Sequence, residues 1–439
     1  MSKLEKYMTY KDSGVEWLGE IPEHWELLPF KSLLKKNGLI RGPFGSALQT
    51  SFFVESGYKV YEQKNAIYND LILGKSYINK SKYNELKRFE IISNDFLMSC
   101  SGTIGKLTKV PEVFEQGIIN QAMLIIRTKN AHILDDFFEY LFSSEYILNT
   151  ILDNSLGSAM KNLVGMSIFK NIKIPLPLKD EQTKIASFLD EKTSQIDKAI
   201  SQKEKLIELL KERRQITINE AVTKGLDKDV EFKDSGVEWI GEIPKYWEVS
   251  KLGTSLKPIS IKNKPDLPLL SVTREQGVIL RDVDNKDSNH NFIPDDLSPY
   301  KMVEKGQFAM NKMKAWQGSY GISDYTGIVS PAYYIFELNG IEPTFFHKAI
   351  RSSVYVPFFI KASDGVRIGQ WDLSKSRMKE IPFYIPPTKD EQTKIVEYIE
   401  TQTSKIDNAI ELQQNYIAKL KEYKASLIDS VVTGKVRVA

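Results

Sequence analysis

Cysteine is almost missing from this chain: Cys100 is the one thiol in 439 residues. That excludes a disulfide framework and any zinc site built on several thiolates, and it suits a reducing cytoplasm. Histidine is scarce as well. His24, His132, His290 and His347 lie far apart, with no pair at metal-ligand spacing. Long apolar runs are absent too. The longest, such as residues 354–360, fall far short of the ~20 residues that span a bilayer, so no membrane association is expected. The opening MSKLEKYMTYKDSG lacks the apolar core of a signal peptide. Nor does charge of one sign dominate. Lys+Arg 60 against Asp+Glu 57 leaves +3, too near neutral for a histone-like or membrane-coating protein. What remains is globular in character: 41% hydrophobic and 11% aromatic residues can build real cores, and 27% charged residues is ordinary. At ~100–200 residues per domain, there is room for two to four.

Signatures of catalysis are also lacking. SGTIGKL has glycines, but not the spacing of a phosphate-binding loop, and Leu107 stands where a hydroxyl should meet magnesium. Pro265-Asp266 followed by Asp284-Asn-Lys286 imitates a nuclease set, but it is short and occurs once. No amino-methyltransferase signature is present, and Ile385-Pro-Pro-Thr388 reads as a turn before a helix. There is no G-x-S-x-G elbow and no H-E-x-x-H. The chain reads as non-catalytic.

What the chain does have is itself, twice. Residues 11–22 read KDSGVEWLGEIP and residues 233–244 read KDSGVEWIGEIP; a second tryptophan follows each, Trp25 and Trp247. Residues 179–185 and 389–395 both read KDEQTKI. Units this long are a duplicated pair of domains rather than solenoid repeats. A weaker echo matches SGTIG (101–105) to QGSYG (317–321), and GIINQAMLIIR to GIVSPAYYIFE. Trp17, Trp25, Trp239 and Trp247 read as core anchors.

After each KDEQTKI, apolar residues recur at helical steps: Ile185, Phe188, Leu189, Ile196 and onward in one copy, Ile395, Ile399, Ile406 and onward in the other. Asp180 and Asp390 read as N-caps, Glu181 and Glu391 as first-turn acids that complement the helix dipole, and Gly225 and Gly434 as terminators. Helices of about forty residues, ~60 Å long, need a partner along most of their length. The economical partner for each is its twin, in an antiparallel coiled coil. The intervening modules mix short β-rich runs, such as AMLIIR and AYYIFEL, with helical stretches such as residues 135–152. The fold class is therefore mixed α/β (α+β): two modules separated by two long α-helices, with a pseudo-two-fold internal repeat. The boundaries are 1–178, first module; 179–226, first long helix; 227–388, second module; 389–439, second long helix.

Charge follows that division. Residues 28–179 carry 19 basic against 13 acidic side chains, and residues 249–389 carry 19 against 14, while the long helices are near neutral or slightly acidic. A modest positive excess confined to both modules points to nucleic acid. Glycine-bearing loops there hold suitable groups: RGPFGS (41–46), SCSGTIGK (99–106), NKMKAWQGS (311–319) and GVRIGQW (365–371). Arg and Lys suit guanine edges and Gln suits adenine edges, while hydroxyls and glycine backbones approach phosphate.

The paired boxes, the IPLPLKDEQTKI and IPPTKDEQTKI segments with their helices, and the glycine loops resemble, over residues 10–436, the specificity subunit of type I restriction–modification enzymes. The resemblance implies that each module is a target-recognition domain reading one half of a bipartite, asymmetric site on double-stranded DNA. It implies half-sites about one helical turn apart, with the helices setting the spacer. It further implies two methyltransferase subunits docked on the helices, two restriction subunits recruited by them, and a prokaryotic cytoplasm. AdoMet, ATP and Mg²⁺ would belong to those partners, with no cofactor or metal on this chain. The DNA-contacting residues it suggests are Arg41, Gly42, Ser46, Ser101, Thr103 and Lys106 in the first module. In the second they are Lys312, Lys314, Gln317, Ser319, Arg367 and Gln370. Glu181, Gln182, Glu391 and Gln392 fall at the docking positions. Two alternatives stand beside this reading: a stand-alone DNA-cleaving or DNA-modifying enzyme, and a scaffold without base readout.

Overall fold

The computed structural model describes residues 5–16, 18–153, 162–283, 293–367 and 370–438. Trp17, His290 and the triplet 284–286 singled out above lie outside them. The chain forms two compact units, residues 1–202 with 415–439, and residues 203–414.

In the first unit the central sheet is antiparallel, in the order Leu34–Arg41, Met123–Thr128, Phe96–Ser99, Leu107–Lys109. Its middle strands are almost wholly apolar because both faces are covered. Phe96, Met98, Leu124 and Ile126 face the helix Asp135–Ser143, meeting Phe137, Phe138 and Leu141. Their alternates Leu97 and Ile125 face a second core with Tyr61 and Ile119, from the smaller sheet Gly117–Ile119, Tyr58–Tyr61, Tyr77–Ile78, Phe53–Val54. The stretch expected as one helix over 135–152 is two. Ser144 breaks it with extended backbone and caps the next helix, Glu145–Ile151, by accepting from the Ile147 N–H.

The second unit repeats the central sheet in the same order: Leu256–Ile259, Tyr333–Leu338, Phe308–Asn311, Tyr320–Ile322. Phe308, Met310 and Phe336 pack on Phe345, Phe346 and Ile350 of the helix Pro343–Ile350. The two modules share one fold.

The long helices are Lys179–Lys224 and Lys389–Val432. Each already includes its opening lysine, so Asp180 and Asp390 lie in the first turn and are not the caps; in the second helix Thr388 Oγ1 accepts from the Glu391 N–H at 3.2 Å. The glycines do terminate them, Gly225 at φ 69° and Gly434 at φ 75°, left-handed positions where a side chain is strained. Within each unit the helical segments run antiparallel. In the first, Lys424 Nζ grips both Asp197 oxygens at 2.7 Å, and Ile185, Leu189 and Ile196 share a core with Leu427 and Val431. In the second, Arg214 Nε meets Asp407 at 3.3 Å and Lys203 Nζ meets Gln413 at 2.9 Å. This is the antiparallel coiled coil the sequence led us to expect.

Trp25 and Trp247 are fully buried as anchors. Trp239 is not. It is 38% exposed and packs on Phe358, with the Lys361 ammonium 4.4 Å over its ring. Among the described residues no helix is long and apolar enough to cross a membrane.

Candidate nucleic-acid interface

In the first unit the strand register gathers two of the loops at one end of the sheet. Arg41 ends the outer strand opposite Leu124, and Ser99 ends the inner strand opposite Met123. The loops that leave them are latched to the same turn: Gly42 N–H donates to the Met123 carbonyl at 3.0 Å and Cys100 N–H to the Ala122 carbonyl at 2.8 Å. Arg41, Ser46, Ser101, Thr103 and Lys106 are thus brought to one rim. The Ser99 side chain holds the second loop, donating to the Thr103 carbonyl at 2.6 Å and accepting from Lys106 N–H at 3.0 Å. Ser46, Ser101, Thr103 and Lys106 point to solvent. Gly42 is buried: a Cβ there would stand 1.8 Å from the Asn120 carbonyl oxygen, so this glycine serves close packing within the protein. Arg41 lays its guanidinium 4.9 Å over the Phe44 ring, and its buried Nε has no hydrogen-bond partner. Burial pushes the neighbouring Cys100 thiol up to about 12, and Arg41 pulls it back only partly, so Cys100 stays a neutral thiol.

The second unit builds its rim from one of these loops and a hairpin. Residues 312–319 leave the inner strand at Asn311, opposite Tyr333. The hairpin Ser363–Arg367 with Gln370–Leu373 comes alongside, its Leu373 N–H donating to the Lys312 carbonyl at 3.1 Å. Trp316 packs against Trp371, ring centres 4.9 Å apart and planes tilted by 31°, and Lys312 pairs with Asp372 at 3.0 Å. Lys314 is exposed and Gln317 half-buried. Ser319 is 2% exposed, so it shapes the loop from inside instead of offering its hydroxyl to a ligand. Arg367 and Gln370 face each other across the hairpin backbone, and their side chains lie outside the described ones.

The four residues expected at docking positions act within their own units. Glu181 accepts from Trp25 Nε1–H at 3.1 Å and Tyr7 O–H at 2.6 Å, with His24 Nε2 at 3.0 Å. Glu391 accepts from Trp247 Nε1–H at 2.9 Å and Tyr246 O–H at 2.7 Å. Gln182 and Gln392 are buried. Gln182 accepts from the Leu134 N–H at 2.8 Å and donates to the His132 and Pro177 carbonyls. Gln392 accepts from the Glu342 N–H at 2.8 Å and donates to the Pro386 carbonyl. Leu134 and Glu342 are the cap residues of the helices packed under each sheet. The repeated Glu-Gln pair therefore ties each tryptophan box, long helix and module together.

Two aromatic groups at the rims escaped the sequence reading: Phe44, 63% exposed at the tip of its loop, and Trp371, half-buried against Trp316. An aromatic beside an arginine in a glycine loop is the signal that could have found the first. Among the described residues no group of three His, Cys, Asp or Glu side chains is placed to hold a metal ion.

Comparison with known proteins agrees with this architecture. Residues 34–210 match the family model described as the type I restriction modification DNA specificity domain. The chain is 26% identical to the type I restriction enzyme MjaVIII specificity subunit of Methanocaldococcus jannaschii, covering 95% of this chain and 94% of that protein. It is 22% identical to the Escherichia coli EcoKI specificity subunit, covering 95% and 90%. Among solved structures, one titled for complex assembly and conformational transition of the type I R-M system aligns with TM-score 0.64 at 14% identity, covering 94% of this chain and 98% of that one. The HsdS subunit from Thermoanaerobacter tengcongensis aligns with TM-score 0.54 at 14% identity, covering 95% and 98%. The chain thus resembles type I restriction–modification specificity subunits over nearly their whole length, carries a match to their DNA specificity domain, and shares the fold of two solved structures.

Proposed function

We propose that this chain is the non-catalytic sequence-reading subunit of a type I restriction–modification complex, each module reading one half of a bipartite, asymmetric DNA site. The observation that carries this reading is one fold built twice with matching Glu-Gln ties and unlike rims. The Glu-Gln struts repeat, while glycines and an arginine–phenylalanine pair line one rim and lysines and a tilted tryptophan pair line the other. A scaffold needs no such divergence, and an enzyme needs reacting groups that neither rim brings together. On this reading Arg41, Lys106, Lys314 and Gln317 meet DNA. The exposed faces of the long helices dock two methyltransferase subunits, which recruit two restriction subunits in the cytoplasm. AdoMet, ATP and Mg²⁺ bind on those partners.

Methylation mapping by single-molecule sequencing, in cells carrying this chain with its neighbouring methyltransferase gene, tests the proposal. The expected result is a two-part motif with methyladenine in both halves. Exchanging one module should change one half only. Methylation independent of this chain would sink it. Within that assay, Gln317→Ala should relax one position of one half-site, at a cost of about 1–3 kcal/mol in discrimination.

A further inference from the structure

The second unit crowds four lysines of which, among the described residues, one has a carboxylate partner. An antiparallel bridge between Ile261 and Met302 sets Lys262 directly opposite Lys301, and like charges facing each other across strands are destabilising. Lys301 Nζ donates to the Tyr333 carbonyl at 2.7 Å. Asn311, which donates to the Tyr333 hydroxyl at 3.2 Å, precedes Lys312 in the chain. Lys375 holds its ammonium 5.6 Å from the Tyr334 ring centre and 5.9 Å from that of Phe336. Four ammonium groups from separate stretches of chain thus surround the start of the strand Tyr333–Leu338, at the sheet end from which the 312–319 loop leaves. Burial first, then Lys262, Lys375 and Lys312, holds the Lys301 ammonium below its ordinary range. Asp372, on Lys312, is the one carboxylate in ion-pair range of the four among the described residues. Other cations in the chain are paired: Lys59 with Glu115, Arg127 with Asp95 and Lys109 with Asp135 in the first unit, and Lys257 with Glu337 in the second.

An uncompensated cluster costs folding energy and is useful only to a polyanion that completes it. Ammonium groups are point charges without the planar fork that reads base edges, so they suit backbone phosphates. We propose that Lys262, Lys301, Lys312 and Lys375 form a phosphate clamp in the second module, gripping the DNA backbone beside the bases addressed by the 312–319 loop. The clamp rests on the DNA-reading function proposed above and assigns it residues that make affinity without sequence choice.

The test uses the complex assembled with its methyltransferase subunits. Two duplexes serve as probes, one carrying the mapped motif and one with that motif scrambled, each titrated across salt concentrations. The triple variant K262Q/K301Q/K375Q should bind both duplexes more weakly. Its slope of log affinity against log salt should be shallower by about three, near one for each phosphate no longer neutralised. The motif methylated in cells should not change. Lys262→Gln alone, at an exposed position, should flatten the slope by about one and leave the melting temperature unchanged or higher, since it relieves repulsion. An unchanged slope in both variants overturns the clamp. So does loss of partner subunits with the slope intact, which would make an acidic protein surface the ligand. If the wild-type complex prefers neither duplex and binds neither, the proposed function falls and the clamp with it. If the wild type binds and only the slopes fail to move, the clamp alone falls.

Discussion

The two modules share a sheet order, a helix beneath it and the same Glu-Gln ties, yet they handle charge and space at the rim in opposite ways. The first seats Gly42 against the Asn120 carbonyl and lays Arg41 over Phe44; the second leaves Gly318 in open space and gathers four lysines, of which Lys312 alone has a carboxylate partner among the described residues. Positions that hold the fold have one workable solution and were kept through duplication. Positions at the loop ends touch little of the protein and could diverge in chemistry.

Glycine substitutions break this contrast most sharply. Gly42→Ala would drive a methyl into the Asn120 carbonyl, whereas Gly318→Ala meets nothing within 4 Å and suffers only from its φ of 92°. The Gly318 variant should cost about 1–2 kcal/mol from backbone strain, and the Gly42 variant about 3 kcal/mol or more because backbone must move. Denaturant unfolding measures both, and hydrogen exchange should show the loss at 41–46 and 99–106 together. Equal costs would contradict the difference in packing.

The tie itself offers a second comparison. Alanine at Glu181 or Glu391 strands a buried indole N–H, and each change should cost roughly 2–3 kcal/mol. Glu181 should be the more damaging, since it serves Tyr7, His24 and Trp25 while Glu391 serves Tyr246 and Trp247. Unfolding midpoints of the two variants decide it, and a harmless Glu391→Ala would remove the tie from the second unit.

A smaller effect separates the modules by pH. The helix beneath each sheet carries a Phe-Phe pair, followed by Glu139 in one and His347 in the other. His347 Nδ1 accepts from the Ile322 N–H at 3.1 Å, and burial, then Arg351 and Lys348, pulls its titration from 6.5 to about 4. The unfolded chain therefore binds the proton more readily, and the second unit loses stability as pH falls from about 6.5 to about 4. His347→Asn, which keeps an acceptor, should flatten that loss. Glu139 is raised above its ordinary 4.5, chiefly by burial and further by Asp136, Asp135 and Asp190, with Lys109 opposing. The sign reverses: the first unit loses stability as pH rises above 4.5, and Glu139→Gln should help slightly at pH 7 and not at pH 4. Hydrogen exchange followed separately in the two units checks both signs.

How much of this was readable beforehand depended on the range of the contacts. The long helices were legible because their apolar period is local, and the repeat because KDEQTKI recurs unchanged. The roles of Glu181 and Gln182 were not, because Trp25 and Leu134 stand far away in sequence. On a first-turn position an acid looks free for a partner, and only the fold supplies the indole it accepts from. The break at Ser144 and the exposure of Trp239 were missed for the same reason, since each depends on what packs alongside. At the rim, Lys106 and Lys314, picked from their loops, are exposed; Gly42 and Ser319 had the right composition but turned inward.

By itself the sequence determined that this is a duplicated chain of two mixed modules and two long helices, because periodicity and repetition are properties of order along the chain. Which loops share a rim, which acids are consumed in ties and which lysines gather together were decided only by the tertiary structure. Register brings Ser99 and Arg41 to either side of one strand start, and a single bridge sets Lys262 against Lys301. Electrostatic and hydrogen-bond energies depend on those distances through space, and distance along the chain does not report them.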